Sequence, residues 1–381
     1  MRILSSLCFG IYSSLLATSI AWASPDTTPD PNASVVYLRT SCDVANSGAG
    51  ESPVENCFED MAALNSWIYT RPVPSAKLLV EVGPGEFGGF SCNIEDSTTG
   101  GDLTFRGAGV GKTQIGGVSH GVCNGTKWVF ENLTIKAIYA VLWFGRGETT
   151  WTNVVFEGLN TAWYDAVGNS GNACALGRQG THRFFSSRFV TSSSQGNFVF
   201  LNACGDNWFW GSEFVFTPAP GSSGSAILSK GSGNRMHLYG SNVRAEAHAN
   251  AGATGNLTAI TVQDGAELHS HGVGIDVVGK PGWTLTFLDA SAGGEIHANA
   301  SSYFMQPSSG ATVRRIVNNG GHVHAPYLWE THPTPPAIQS VTGADIAVVT
   351  SATSDNHPHM VIYDSGCTSN WYDMVDKACR P

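Results

Sequence analysis

A two-point apolar pattern recurs through the middle of the chain: one apolar residue, four loosely constrained positions, then a second apolar residue. The pairs are Phe130 and Ile135, Trp151 and Phe156, Phe184 and Phe189, Phe209 and Phe214, Leu238 and Val243, Leu268 and Val273, and Val323 and Leu328, with Ile296 opening a degenerate copy. Successive starts lie 21, 33, 25, 29, 30, 28 and 27 residues apart. Short strands returning at such intervals, with Gly, Asn and Ser between them, bury their apolar side only by stacking coil on coil. The chain is therefore expected to be a solenoid of β-strands.

Residues 1–23 have the form of a secretory signal peptide. Arg2 is their only charge, an apolar stretch runs from Ile3 to Ile20, and Ala21-Trp22-Ala23 supplies small residues for a cleavage site. That predicts a secreted protein, periplasmic or extracellular. Eight cysteines follow the segment, an even number that in an exported protein favours disulfides over free thiols. Neighbour-to-neighbour pairing would join Cys42 to Cys57, Cys92 to Cys123, Cys174 to Cys204 and Cys367 to Cys379. The formal net charge of −10 argues against a nucleic-acid partner, which requires a basic face. No later stretch is long and apolar enough for a transmembrane segment.

Residues 24–41 read as a linker and first strand. Residues 55–68 carry Phe58, Met61, Ala62, Leu64, Asn65 and Ile68 at helical spacing, which suits a helix capping the open end of the first coil. The β-helix domain, cap included, spans 42–328. Residues 329–381, opening Pro-rich and ending with Cys367, Trp371 and Cys379, read as a C-terminal cap. The run Gly107-Ala108-Gly109-Val110-Gly111-Lys112-Thr113 ends like a phosphate loop but lacks its glycine spacing, so it reads as a turn whose glycines supply positive φ.

The order of a capping helix, then Leu78-Leu79-Val80-Glu81-Val82-Gly83-Pro84-Gly85-Glu86-Phe87, then Leu103-Thr104-Phe105-Arg106-Gly107-Ala108-Gly109 and Lys112-Thr113-Gln114-Ile115, resembles the pectin-lyase-like right-handed parallel β-helix superfamily, the pectinesterase type most closely. Ala175-Leu176 followed by Phe184-Phe185-Ser186-Ser187-Arg188-Phe189 is similar to the coil before that family's active site. The resemblance covers roughly residues 50–245. It implies an all-β fold: a single-stranded right-handed parallel β-helix with a short N-terminal capping helix and a C-terminal cap. It does not carry over the esterase chemistry, because the family's Gln-Asp pair is met only by Gln195-Gly196, and Asp206 lacks the strand context of the family's second Asp.

Because strand neighbours alternate faces, residues on either side of each inward position point outward. Aligned on the apolar pattern, one outward column reads Val129, Thr150, Arg183, Trp208, His237, Glu267, Glu295 and His322. The other reads Glu131, Thr152, Phe185, Trp210, Tyr239, His269, His297 and His324. Three uses of this strip follow from its chemistry. Like residues stack well along any solenoid. A carbohydrate site would use Phe185, Trp208, Trp210 and Tyr239 to bind sugar rings and Glu267, Glu295 and His237 as proton-transfer groups, since stacked carboxylates push one pKa upward. A divalent metal ion is the third use, held by His269, His297 and His324 if their nitrogens converge. The expected protein is thus an exported β-helix that recognises a polysaccharide or cell-surface glycan and, if it is an enzyme, acts on it as an esterase, hydrolase or lyase. The alternatives are a non-catalytic extracellular scaffold or surface protein and a His-rich metal-binding protein.

Overall fold

In the solenoid each coil turns through three strand segments, which run on as one strand in Lys127–Trp143 and Glu148–Asp165, and successive coils pair in parallel, so three sheets form. The structure is a computed structural model. It describes residues 34–42, 56–70, 78–92, 103–120, 127–143, 147–165, 180–191, 197–203, 205–218, 222–248, 254–299, 301–306, 311–325 and 328–330, with four short strands between 344 and 379. The first sheet stacks twelve strands from Val35–Leu38 to Ala344–Val349. The expected parallel β-helix is the fold observed.

The recurrent apolar pattern has a structural cause. Phe130 is the last inward residue of a first-sheet strand, Asn132 turns the corner at φ 56°, and Ile135 is an inward residue of the second sheet. Successive coils place Asn153, Ser186, Gly211, Gly240 and Gly272 at that corner, all at φ between 48° and 62°. A Cβ added at Gly240 or Gly272 would meet nothing within 4 Å, so the corner demands a backbone conformation and not empty space. Asn and Ser tolerate that left-handed region better than branched residues, which is why they share the position with Gly. Just past the corner a buried serine ladder ties coils together: Ser187 N–H donates to Ser212 Oγ, and Ser212 N–H donates to Ser241 Oγ.

Inside, the first-sheet column Phe105, Phe130, Trp151, Phe184 and Phe209 forms a ring stack, with centroid separations of 5.2, 4.1, 6.4 and 4.6 Å. Phe156, Phe189 and Phe214 stack in the second sheet, and Trp163 and Phe200 in the third. Towards the C-terminus the core changes to aliphatic residues such as Leu268, Ile275, Leu288 and Ile296.

The cap helix is shorter than its apolar spacing predicts. Cys57–Phe58 is a strand paired with Val35–Leu38, and the helix spans Met61–Thr70, with Asp60 capping it by accepting from the Ala62 N–H. Met61 and Leu64 cover the open end of the coil. The Cys42–Cys57 disulfide is present. The other three expected pairs lie outside the described residues, in whole or through their side chains, as do residues 1–33. At the far end the parallel stacking gives way to an antiparallel meander, Ala344–Val349, His359–Tyr363, Trp371–Asp373 and Ala378–Cys379. This change of direction ends the solenoid. No helix among the described residues is long and apolar enough to cross a membrane.

Candidate functional site: a ladder of rings on the first sheet

The expected strip exists on the outside of the first sheet, but its rungs are not those the apolar pattern predicts. In the register observed, Arg235 lies opposite Glu267, His237 opposite His269, and Tyr239 opposite His271. Leu268, Ile296 and Val323 line up inside, whereas Leu238 pairs with Ser270. The pattern matched Leu268 and Val273 to Leu238 and Val243, a slip of two residues. Such a slip leaves every side chain on its correct face, because the strand period is two, but moves it to a neighbouring column. The corner settles the true frame: Gly272, at φ 62°, is the counterpart of Gly240 at φ 54°.

Three outward columns result. The first reads Glu148, Thr181, Asp206, Arg235, Glu267, Glu295 and His322; the second Thr150, Arg183, Trp208, His237, His269, His297 and His324; the third Thr152, Phe185, Trp210, Tyr239, His271 and Asn299. The middle column is a continuous stack. Trp208 and His237 lie 3.8 Å apart, His237 and His269 5.1 Å, His269 and His297 4.7 Å, and His297 and His324 4.9 Å, with planes within 13° of parallel. Beside it Phe185 stacks on Trp210, Trp210 on Tyr239, and Tyr239 on His271. Phe185 and His324 are exposed, and Trp208, Trp210, Tyr239, His237, His269 and His297 are partly buried.

The three residues cast as proton-transfer groups are not brought together. His237 Nε2 sits 3.4 Å from Asp206 Oδ1, on the coil before it, and not beside Glu267. Glu267 is held by Arg235 at 3.1 Å and approached by His269 at 3.6 Å, while Glu295 is approached by His297 at 3.5 Å. Glu267 and Glu295 occupy consecutive rungs of one column, so both meet a ligand from the same side. Glycosidic cleavage instead places two carboxyl groups on either side of the scissile bond. The metal candidates fare similarly. His269, His297 and His324 stack in parallel planes with their nitrogens side by side, and no group of three or more His, Cys, Asp or Glu among the described residues is placed to hold an ion.

Asp206 and Arg235 are site residues that the pattern reading passed over. Counting back by two from Trp208 and from His237 reaches them, so alternation carried the signal. Burial opposes ionisation of Asp206, but contacts from His237 and Trp208 and the charge of Arg235 outweigh it and hold its carboxyl below the usual range. His269 is shifted down from the ordinary imidazole value by partial burial and by the neighbouring His297 and His237, with Glu267 opposing. Its neutral form is therefore favoured.

An open hollow of about 410 Å³ lies elsewhere, at the first coils, lined by residues including Arg39, Ser41, Glu81, Gly83 and Ala108. Fold and strip together define a parallel β-helix bearing a stacked ring ladder on one outer sheet. Comparison with models of known protein families, with curated proteins and with solved structures gave no match.

Proposed function

We propose that the protein is an exported member of the pectin-lyase-like superfamily that binds a polysaccharide along its ring ladder without cleaving it. The observation that carries this reading is the continuity of the strip: over six coils, from Phe185 to His324, rings at least partly exposed repeat at the inter-strand spacing of about 4.8 Å. A linear polymer lying along the axis would meet a ring at every rung, with Asp206, Glu267 and Glu295 beside three of them. The rings turn their faces to one another, so their contribution is the outer edge: indole N–H, phenol O–H and imidazole nitrogen, all suited to sugar hydroxyls. Secretion to the periplasm or beyond follows the leader-like residues 1–23.

The absence of cleavage rests on the distribution of the acids: His237 with Asp206, Glu267 with Arg235, and the two glutamates on one side. The test is retention of the purified protein on a panel of neutral and acidic glycans, with reducing ends, methanol, acetate and unsaturated product scored alongside. Trp210→Ala combined with Tyr239→Ala is expected to weaken binding by tenfold or more, about 1.4 kcal/mol or above. Retention on no glycan would refute the reading, and product formation would replace it with the enzymatic one. A scaffold role is favoured by one feature, the near-complete pairing of ring faces and charges within the strip; it predicts no retention and no product.

A further inference from the structure

Six of the chain's twelve histidines face outward on four consecutive first-sheet strands: His237, His269, His271, His297, His322 and His324. Four of them form the unbroken stack described above. The fixed charges on the same strip are few. Arg235, Glu267 and Glu295 stand beside the rings, and Asp206 lies on the coil before His237. With the imidazoles neutral, those four strands carry one arginine against two glutamates; with all six protonated, the sign of the strip reverses.

Resting on the binding reading above, we infer that the histidine ladder is a proton-gated strip whose ligand is an anionic polysaccharide, held when the imidazoles are charged and released when they are neutral. Imidazolium ions stacked at these separations repel one another. Burial, and then the neighbouring His297 and His237, shift His269 downward. Asp206, Glu267 and Glu295 offset part of that repulsion, and a polymer with an anionic group facing successive rungs offsets it further by adding counter-charge on the outer side. Binding must therefore take up protons, and by linkage acid must tighten binding. A polysaccharide fits better than a nucleic acid: the chain's net charge is −10, and neutralising a phosphate backbone requires a dense set of permanent cations.

The experiment measures the affinity of the full chain for dextran sulfate, hyaluronan, uncharged dextran and duplex DNA from about pH 7.5 to about pH 5.5, at one ionic strength. The expected result is at least a roughly tenfold gain for an anionic glycan across that range, corresponding to net uptake of about half a proton or more, with no gain for dextran. Gain with the sulfated polymer alone, the carboxylated one alone, or both identifies the anionic group and supports the inference. His269→Gln, His297→Gln and His324→Gln together are expected to flatten the pH profile. Should that variant not fold, calorimetry of the unaltered protein in two buffers of different ionisation enthalpy counts the protons directly, and zero uptake would overturn the gate. Glycan affinity that does not change with pH also overturns it, while leaving the binding reading intact. Acid-only binding of anionic glycans upholds both and narrows the ligand class. Tighter acid binding of duplex DNA than of either anionic glycan overturns the polysaccharide assignment. No binding at any pH overturns gate and binding reading together.

Discussion

Phe184 and Phe185 are adjacent in the chain and identical in chemistry, yet they lie on opposite sides of the first sheet, which makes replacing each by Ala a direct probe of the strip. The Phe184 ring is fully buried, stacked on Phe209 at 4.6 Å and meeting Trp163 and Phe189 edge-on at 5.0 and 5.2 Å. Removing it leaves a cavity walled by rings of its own and of both neighbouring coils, which cannot all move inward. The cost is therefore expected near the upper end of the usual Phe→Ala range, about 4–5 kcal/mol. Phe185 is 36% exposed and stacks on Trp210 at 4.7 Å, so its loss should cost about 0.5–1.5 kcal/mol. Urea unfolding followed by circular dichroism measures both values. Each coil contacts only its neighbours, so Phe184→Ala should also separate the transition into two steps, with the coils on either side losing structure at different urea concentrations. Equal costs, or a larger one for Phe185→Ala, would refute the register, because a shift by one residue exchanges inside and outside along the whole strand.

Arg235→Ala and Glu267→Ala should show a coupling of about 0.2–1 kcal/mol in a double-mutant cycle of thermal stability. Asp289→Asn should raise the melting temperature at neutral pH, since burial raises the Asp289 pKa and its Oδ1 has no hydrogen-bond partner among the described residues; a raised acid binds more protons folded than unfolded, so the gain should vanish below about pH 4. His269 has the opposite sense. Its folded form binds fewer protons than the unfolded chain, so stability should fall as pH drops through 6.5, and His269→Gln should reduce that loss in melting curves taken across the range. Cys42→Ser with Cys57→Ser should cost about 3 kcal/mol, the closure entropy of a 15-residue loop, and should first loosen the N-terminal coils in hydrogen exchange.

The site was half legible. Alternation about Phe209 and Leu238 was enough to put Trp208, Trp210, His237 and Tyr239 outside, and they are outside. The partners of His237 and Glu267 were not legible, because Leu268 and Val273 are as buried as the residues that truly match Leu238 and Val243. Any pattern built on burial alone accepts both frames. The helix start was misplaced for a related reason: Phe58 is apolar and lies at helical distance from Met61, but it serves a strand paired with Val35–Leu38.

What the linear chain determined by itself was the periodicity of burial. Apolar residues, with Asn, Ser or Gly at each corner, compel strands that turn and stack, since no coil can hide its own interior from water. What only the folded molecule decided was the column in which each outward side chain sits. Column assignment depends on the pairing of strands some thirty residues apart, settled jointly by hydrogen-bond register, corner conformation and core volume. His237 beside Asp206 and His269, and not beside Glu267, is the consequence of that joint solution.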